Sequence, residues 1–167
     1  MIAAISDHLS RLAALAACAI LVAMAGLICV EIFMRTVLDT STFVLDEFVG
    51  YGVASMTFLS LGSALKSQVF IRVNLLLANL PEGPRRVVEV ASHLAGVLLF
   101  SFLTFYFLKI VARDFSRGTV SNSIAEVPLW IPEAIMAVGL IIFVLQFATL
   151  SISYLRGAPI VHVQKEL

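Results

Sequence analysis

Charge is scarce in this sequence. Only 13% of its 167 residues are Asp, Glu, Lys or Arg, eleven of each sign, and the net charge is zero. A nucleic-acid binder needs a basic patch; with none here, no polyelectrolyte partner is expected. Cysteine is limited to Cys18 and Cys29, eleven positions apart with no C-x-x-C. That separation is too long for a disulfide within one helix, and the missing motif excludes a zinc ribbon or redox dithiol. Both read as small apolar packing residues. Leu15-Ala16-Ala17-Cys18 looks like a lipoprotein cleavage box, but Arg11 shortens the apolar run before it and the run continues past it. A retained span is therefore expected rather than a signal peptide. Histidine is almost absent from the apolar segments. Only His93 falls in one, so two-helix haem ligation is excluded and no cofactor or metal is expected.

Apolar sequence dominates instead, at 60% of residues with a mean hydropathy of +1.03. Four stretches carry no charge: Leu12–Val30, Phe48–Leu65, Val90–Leu108 and Ala134–Leu155. At about 1.5 Å per residue each can cross a hydrocarbon core of about 30 Å. Charges bound every stretch: Arg11 and Glu31, Glu47 and Lys66, Glu89 and Lys109, Glu133 and Arg156. A soluble bundle would run charges along one face of each helix. In a bilayer a charge at mid-depth costs roughly 3 kcal/mol on insertion scales, which explains the gaps. The sequence predicts an all-α, integral membrane four-helix protein. Residues 1–167 form a single membrane domain with spans at about 12–33, 46–66, 86–110 and 131–155. No room remains for a soluble catalytic domain, and no enzyme activity is expected.

An even span count places both termini on one side. With that side cytoplasmic, Arg11, Lys66, Arg72, Arg85, Arg86, Arg156 and Lys165 lie inside, and Arg35, Lys109, Arg113 and Arg117 outside. The bias favours N-in and C-in. Lys109 and Arg113 continue the third helix past the membrane core and can snorkel to its interface.

The connections carry local signals. Ser6 or Asp7 can cap the first helix. Glu31 and Arg35 have the favourable acid-first spacing of four. Asp46 and Glu47 fall in the first turn of the second helix, where carboxylates complement the dipole. Antiparallel helices would bring these ends together, so Glu31, Arg35, Asp46 and Glu47 are read as a structural ion-pair cluster, with Arg35 close to Asp46, Glu47 or both. Residues 71–80 are apolar but too short to span, and read as a short interfacial helix between spans 2 and 3. Gly118 is placed to end the third helix. Trp130, the single tryptophan, falls where an interfacial anchor belongs.

Transport chemistry usually needs polar groups at mid-depth, and only His93 and Gln146 qualify. Both read first as packed, hydrogen-bonded residues. No Pro-Gly break suggests a discontinuous substrate-binding helix. Packing signals are clearer. Gly52, Ser55, Gly62 and Ser63 share a sector of about 100° on the second helix. Such a small-residue surface suits close helix packing, against this chain's own helices or a larger partner.

These features resemble the small membrane subunit, of DctQ type, of tripartite ATP-independent periplasmic (TRAP) transporters. The likeness runs from about Glu31 to Arg156. It rests on Arg35 closing the first helix, the pair Asp46-Glu47, the string Lys66-Ser67-Gln68-Val69-Phe70-Ile71-Arg72-Val73-Asn74-Leu75-Leu76, and Pro128-Leu129-Trp130. Leu45, Asp46, Phe70 and Asn74 stand where the family often has Trp, another acid, His and Asp. The resemblance implies a non-catalytic scaffold in a bacterial inner membrane. That scaffold docks onto a large membrane transport subunit served by a periplasmic substrate-binding protein, in sodium symport of organic acids. Two rivals remain: a four-span proton-coupled multidrug exporter, for which Glu31 is the only candidate membrane-embedded carboxylate in the first helix, and a membrane anchor of a respiratory enzyme.

Overall fold

The computed structural model describes residues 2–66 and 82–155. They form α1 (Ile2–Val37), α2 (Leu45–Lys66), α3 (Glu82–Arg117) and α4 (Trp130–Leu155). All four are long and apolar enough to cross a membrane, and no strand occurs among the described residues. The expected interfacial helix at 71–80 lies outside them.

Two helices outrun the charge-free stretches. α1 and α3 have 36 residues each, about 54 Å of helix. Charges mark where the bilayer ends, but Asp, Arg and Lys do not stop a helix. Ser6 and Asp7 therefore lie inside α1 and do not cap it.

Helix ends follow local chemistry. α1 closes where Asp39 takes a left-handed φ of 47°, with the Thr40 N–H donating to the Met34 carbonyl at 3.3 Å. Asp is among the few side chains that tolerate this region. α3 ends in a Schellman motif. Gly118 has φ 60°, the Thr119 N–H reaches the Asp114 carbonyl at 3.1 Å, and the Gly118 N–H reaches Phe115 at 3.4 Å. That pairing satisfies carbonyls left open at the helix end. The α3–α4 connection then folds on itself, with an isolated antiparallel bridge between Val120 and Pro128. Pro132 sits in the first turn of α4, where a missing N–H costs nothing.

α4 is the hub. It packs against α1, α2 and α3, and α1 also packs against α2. Ala13, Ala17, Leu59 and Ile142 form the core cluster of α1, α2 and α4, with Leu9, Ile20 and Met56 against it. α3 leans on α4 through stacked rings. Phe100 meets Phe143 edge-on at 4.6 Å, and His93 lies 5.5 Å from Phe147. Phe107 adds a contact to Phe58 of α2 at 6.1 Å.

Candidate functional site

Two polar clusters tie the helix ends together, and glycines bring the helices close between them. At the end formed by the α1–α2 and α3–α4 connections, Glu31 is only 2% exposed. Its carboxylate accepts from Arg35 Nε at 2.7 Å and from the Thr42 N–H at 3.1 Å. The hydroxyls of Ser41 and Thr42 donate to it as well. Ser41 Oγ in turn accepts the Phe43 N–H at 3.2 Å and an Arg35 Nη2 hydrogen at 3.3 Å. One carboxylate thus folds the α1–α2 connection back onto α1.

Of the four residues expected to cluster, Glu31 and Arg35 are paired. Glu47 turns elsewhere: it accepts from Tyr51 Oη at 2.8 Å and from the Ser123 hydroxyl in the α3–α4 connection. Asp46 is exposed. Arg35 makes its ion pair with Glu31. Helix geometry explains this, because a partner four residues back on the same face is nearer than one across the turn.

Asp114, buried near the end of α3, accepts from Arg113 Nε at 3.0 Å and Thr119 Oγ1 at 3.5 Å. Glu133, in the first turn of α4, lies beside it, and its Oε2 is buried without a hydrogen-bond partner among the described residues. Trp130 opens α4 and meets Phe115 of α3 edge-on at 5.3 Å.

The opposite end holds a second network. Gln146 is 2% exposed. Its Oε1 accepts from the Ser6 hydroxyl and from Ser10 Oγ at 3.3 Å, while its Nε2 donates to Asp7 Oδ1 at 3.2 Å. Asp7 also pairs with Lys66 Nζ at 2.7 Å. The network joins α1, α2 and α4. In lipid such bonds act as interhelical glue. Every polar atom of the Gln146 side chain has a partner within the chain.

Between these ends the small residues of α2 face other helices. A Cβ on Gly62 would lie 2.9 Å from Ser10 Oγ and 3.3 Å from Ile142 Cγ2, and one on Gly52 would overlap the Met24 side chain. Ser55 is buried and Ser63 half-buried. So Gly52 and Gly62 receive α1, and Gly62 also α4. The closest approach to a neighbouring backbone falls outside that sector, on α4. A Cβ on Gly139 of α4 would lie 2.6 Å from the Phe58 carbonyl carbon and 2.8 Å from the Leu59 nitrogen. The available signal was its isolation, a single glycine in a helix of large side chains.

This arrangement is a set of internal braces around a packed core. A family model described as "Tripartite ATP-independent periplasmic transporters, DctQ component" matches residues 24–157. The chain belongs to the DctQ family. No curated protein and no solved structure matches it. As a DctQ component it is the small membrane subunit of a TRAP transporter, and its four apolar helices agree with a multi-pass place in the inner membrane. In this DctQ chain both bracing clusters fall on matched elements, though Ser6, Asp7 and Ser10 precede the matched region.

Proposed function

We propose that this DctQ chain is the non-catalytic scaffold of a sodium-coupled organic-acid symporter. It docks as one membrane domain onto a large membrane transport subunit, which a periplasmic substrate-binding protein serves directly or through that large subunit. The family match over residues 24–157 carries this reading. The internal partnering of Gln146 and Glu31 supports it, since neither offers a free polar group to a passing solute. Trp130 acts as an interfacial anchor and pairs with Phe115 at the edge of the bilayer. The Glu31–Arg35 pair and the bonds of Glu47 brace the connections, with Asp46 at the start of α2. Gly52, Ser55, Gly62 and Ser63 set the helix spacing on which docking depends.

Co-purification tests the assignment. Tagged chain extracted in mild detergent should bring down one large multi-pass subunit. A self-dimer alone, or a haem absorbance, would replace this reading with the exporter or the anchor. Orientation follows from the basic bias of seven against four. With both termini cytoplasmic, Ser121→Cys should react with an impermeant maleimide in intact cells. Labelling only after lysis would invert the topology.

A further inference from the structure

α3 has one face that no helix among the described residues covers. Leu98, Phe102, Phe105, Lys109, Arg113 and Arg117 lie along it and all are exposed. The three cations stand four positions apart, so each is turned about 40° from the last. The stripe is apolar for its first half and basic for its second.

Its dimensions match one leaflet. Leu98 to Lys109 spans about 16 Å of helix, close to half of a hydrocarbon core of about 30 Å. The cations begin where that depth ends. An independent marker places the interface within the basic segment: Phe115 lies between Arg113 and Arg117 in sequence and meets Trp130 at 5.3 Å, and Trp collects at the membrane–water interface. Lys109 therefore sits at the edge of the hydrocarbon, with Arg113 and Arg117 about 6 and about 12 Å further out, a spread that their long side chains can close onto one headgroup.

Their charge is poorly compensated. Lys109 and Arg117 have no carboxylate within ion-pair distance among the described residues. Lys109 Nζ rests instead over the rings of Phe105 at 4.5 Å and Tyr106 at 5.6 Å. Aromatic faces hold a cation without neutralising it. Arg113 shares Nε and Nη2 with Asp114 at 3.0 and 3.5 Å, yet its side chain stays half exposed.

We propose that this stripe of α3 binds an anionic phospholipid, with the headgroup phosphate on Lys109, Arg113 and Arg117 and an acyl chain along Phe105, Phe102 and Leu98. Charge complementarity selects the anionic headgroup, and the apolar run of one-leaflet length selects a lipid over a free phosphate. The site does not depend on the scaffold role. It leaves docking of the large subunit to other faces of the bundle.

Lipid retention tests it. The full chain is purified from mixed micelles of phosphatidylglycerol and phosphatidylcholine, and the bound lipid is measured by mass spectrometry. Wild type should retain phosphatidylglycerol selectively. Lys109→Gln and Arg117→Gln should each lower that selectivity by about fivefold, the effect of one basic residue at an anionic surface. Arg85→Gln with Arg86→Gln, at the other end of α3, should leave the Lys109- and Arg117-dependent part unchanged. Equal retention of both lipids, or undiminished selectivity in the Lys109→Gln/Arg117→Gln variant, would overturn the proposal. So would stabilisation by free inorganic phosphate equal to that by phosphatidylglycerol. Photo-cross-linking from position 102 to the large subunit in the assembled transporter would show protein on this face and overturn it too.

Discussion

Replacing Gly139 with valine should destabilise the bundle by forcing α2 and α4 apart. The new Cβ would meet backbone atoms of α2 at 2.6–2.8 Å. Backbone cannot rotate aside as a side chain can, so α2 and α4 must separate. Overpacking of this kind costs about 1–3 kcal/mol. The core contacts of Leu59 and Ile142 would loosen with it, because both lie on the helices being forced apart. Gly26→Ala and Gly50→Ala provide the contrast. Nothing lies within 4 Å of a Cβ at either position. Both glycines are in helix interiors, where alanine is favoured by about 0.5–1 kcal/mol. Thermal unfolding of the isolated chain in detergent should therefore shift down for Gly139→Val and slightly up for the other two. Equal melting of Gly139→Val and wild type would mean that α2 and α4 do not approach as described.

Glu31→Ala should destabilise the chain far more than Arg35→Ala. The carboxylate holds an arginine, two hydroxyls and a backbone N–H. Removing it leaves all four donors without their acceptor, and a buried unmet donor pays its full desolvation cost. Arg35, by contrast, is 60% exposed and can return to water, as exposed pair members usually do at little cost. Glu31→Gln should fall close to Glu31→Ala. Donors approach both oxygens of Glu31, so an amide –NH2 would face two of them whichever way it turned. Limited proteolysis of the α1–α2 connection, followed alongside melting, should rank wild type and Arg35→Ala together and the two Glu31 variants well below. A Glu31→Gln variant as resistant as wild type would rule out this brace.

Much of the architecture was legible because the bilayer penalises charge so strongly. Four uncharged stretches gave four helices. Gly118 ended α3 as a glycine at that position should, and the spacing of Glu31 and Arg35 gave their pair. Helix lengths were less legible. Charges such as Asp7 and Arg11 mark the membrane edge, but they are compatible with helix, and α1 runs through both. Long-range polar partners were not legible at all. Nothing local links Glu47 to Ser123, or Gln146 to Ser6 and Ser10, because the contacts exist only once the helices have docked. Gly139 escaped for a related reason. A single glycine defines no small-residue sector until its neighbour is placed.

The position of α4 has a consequence for how the chain is made. It is the last of the four described helices to leave the ribosome, yet it is the one that packs against all the others. α1 and α2 can pair as soon as α2 emerges. α3 must wait in the bilayer with its Phe100 ring unpaired until Phe143 arrives. The Ser6, Asp7 and Ser10 side chains at the start of α1 must likewise wait for Gln146. The bundle therefore closes only after α4 has emerged. A chain stopped before Trp130 would present to the cell's membrane proteases one helix pair and a third helix that touches it at the Phe58–Phe107 contact but lacks its α4 partner, marking it as unfinished.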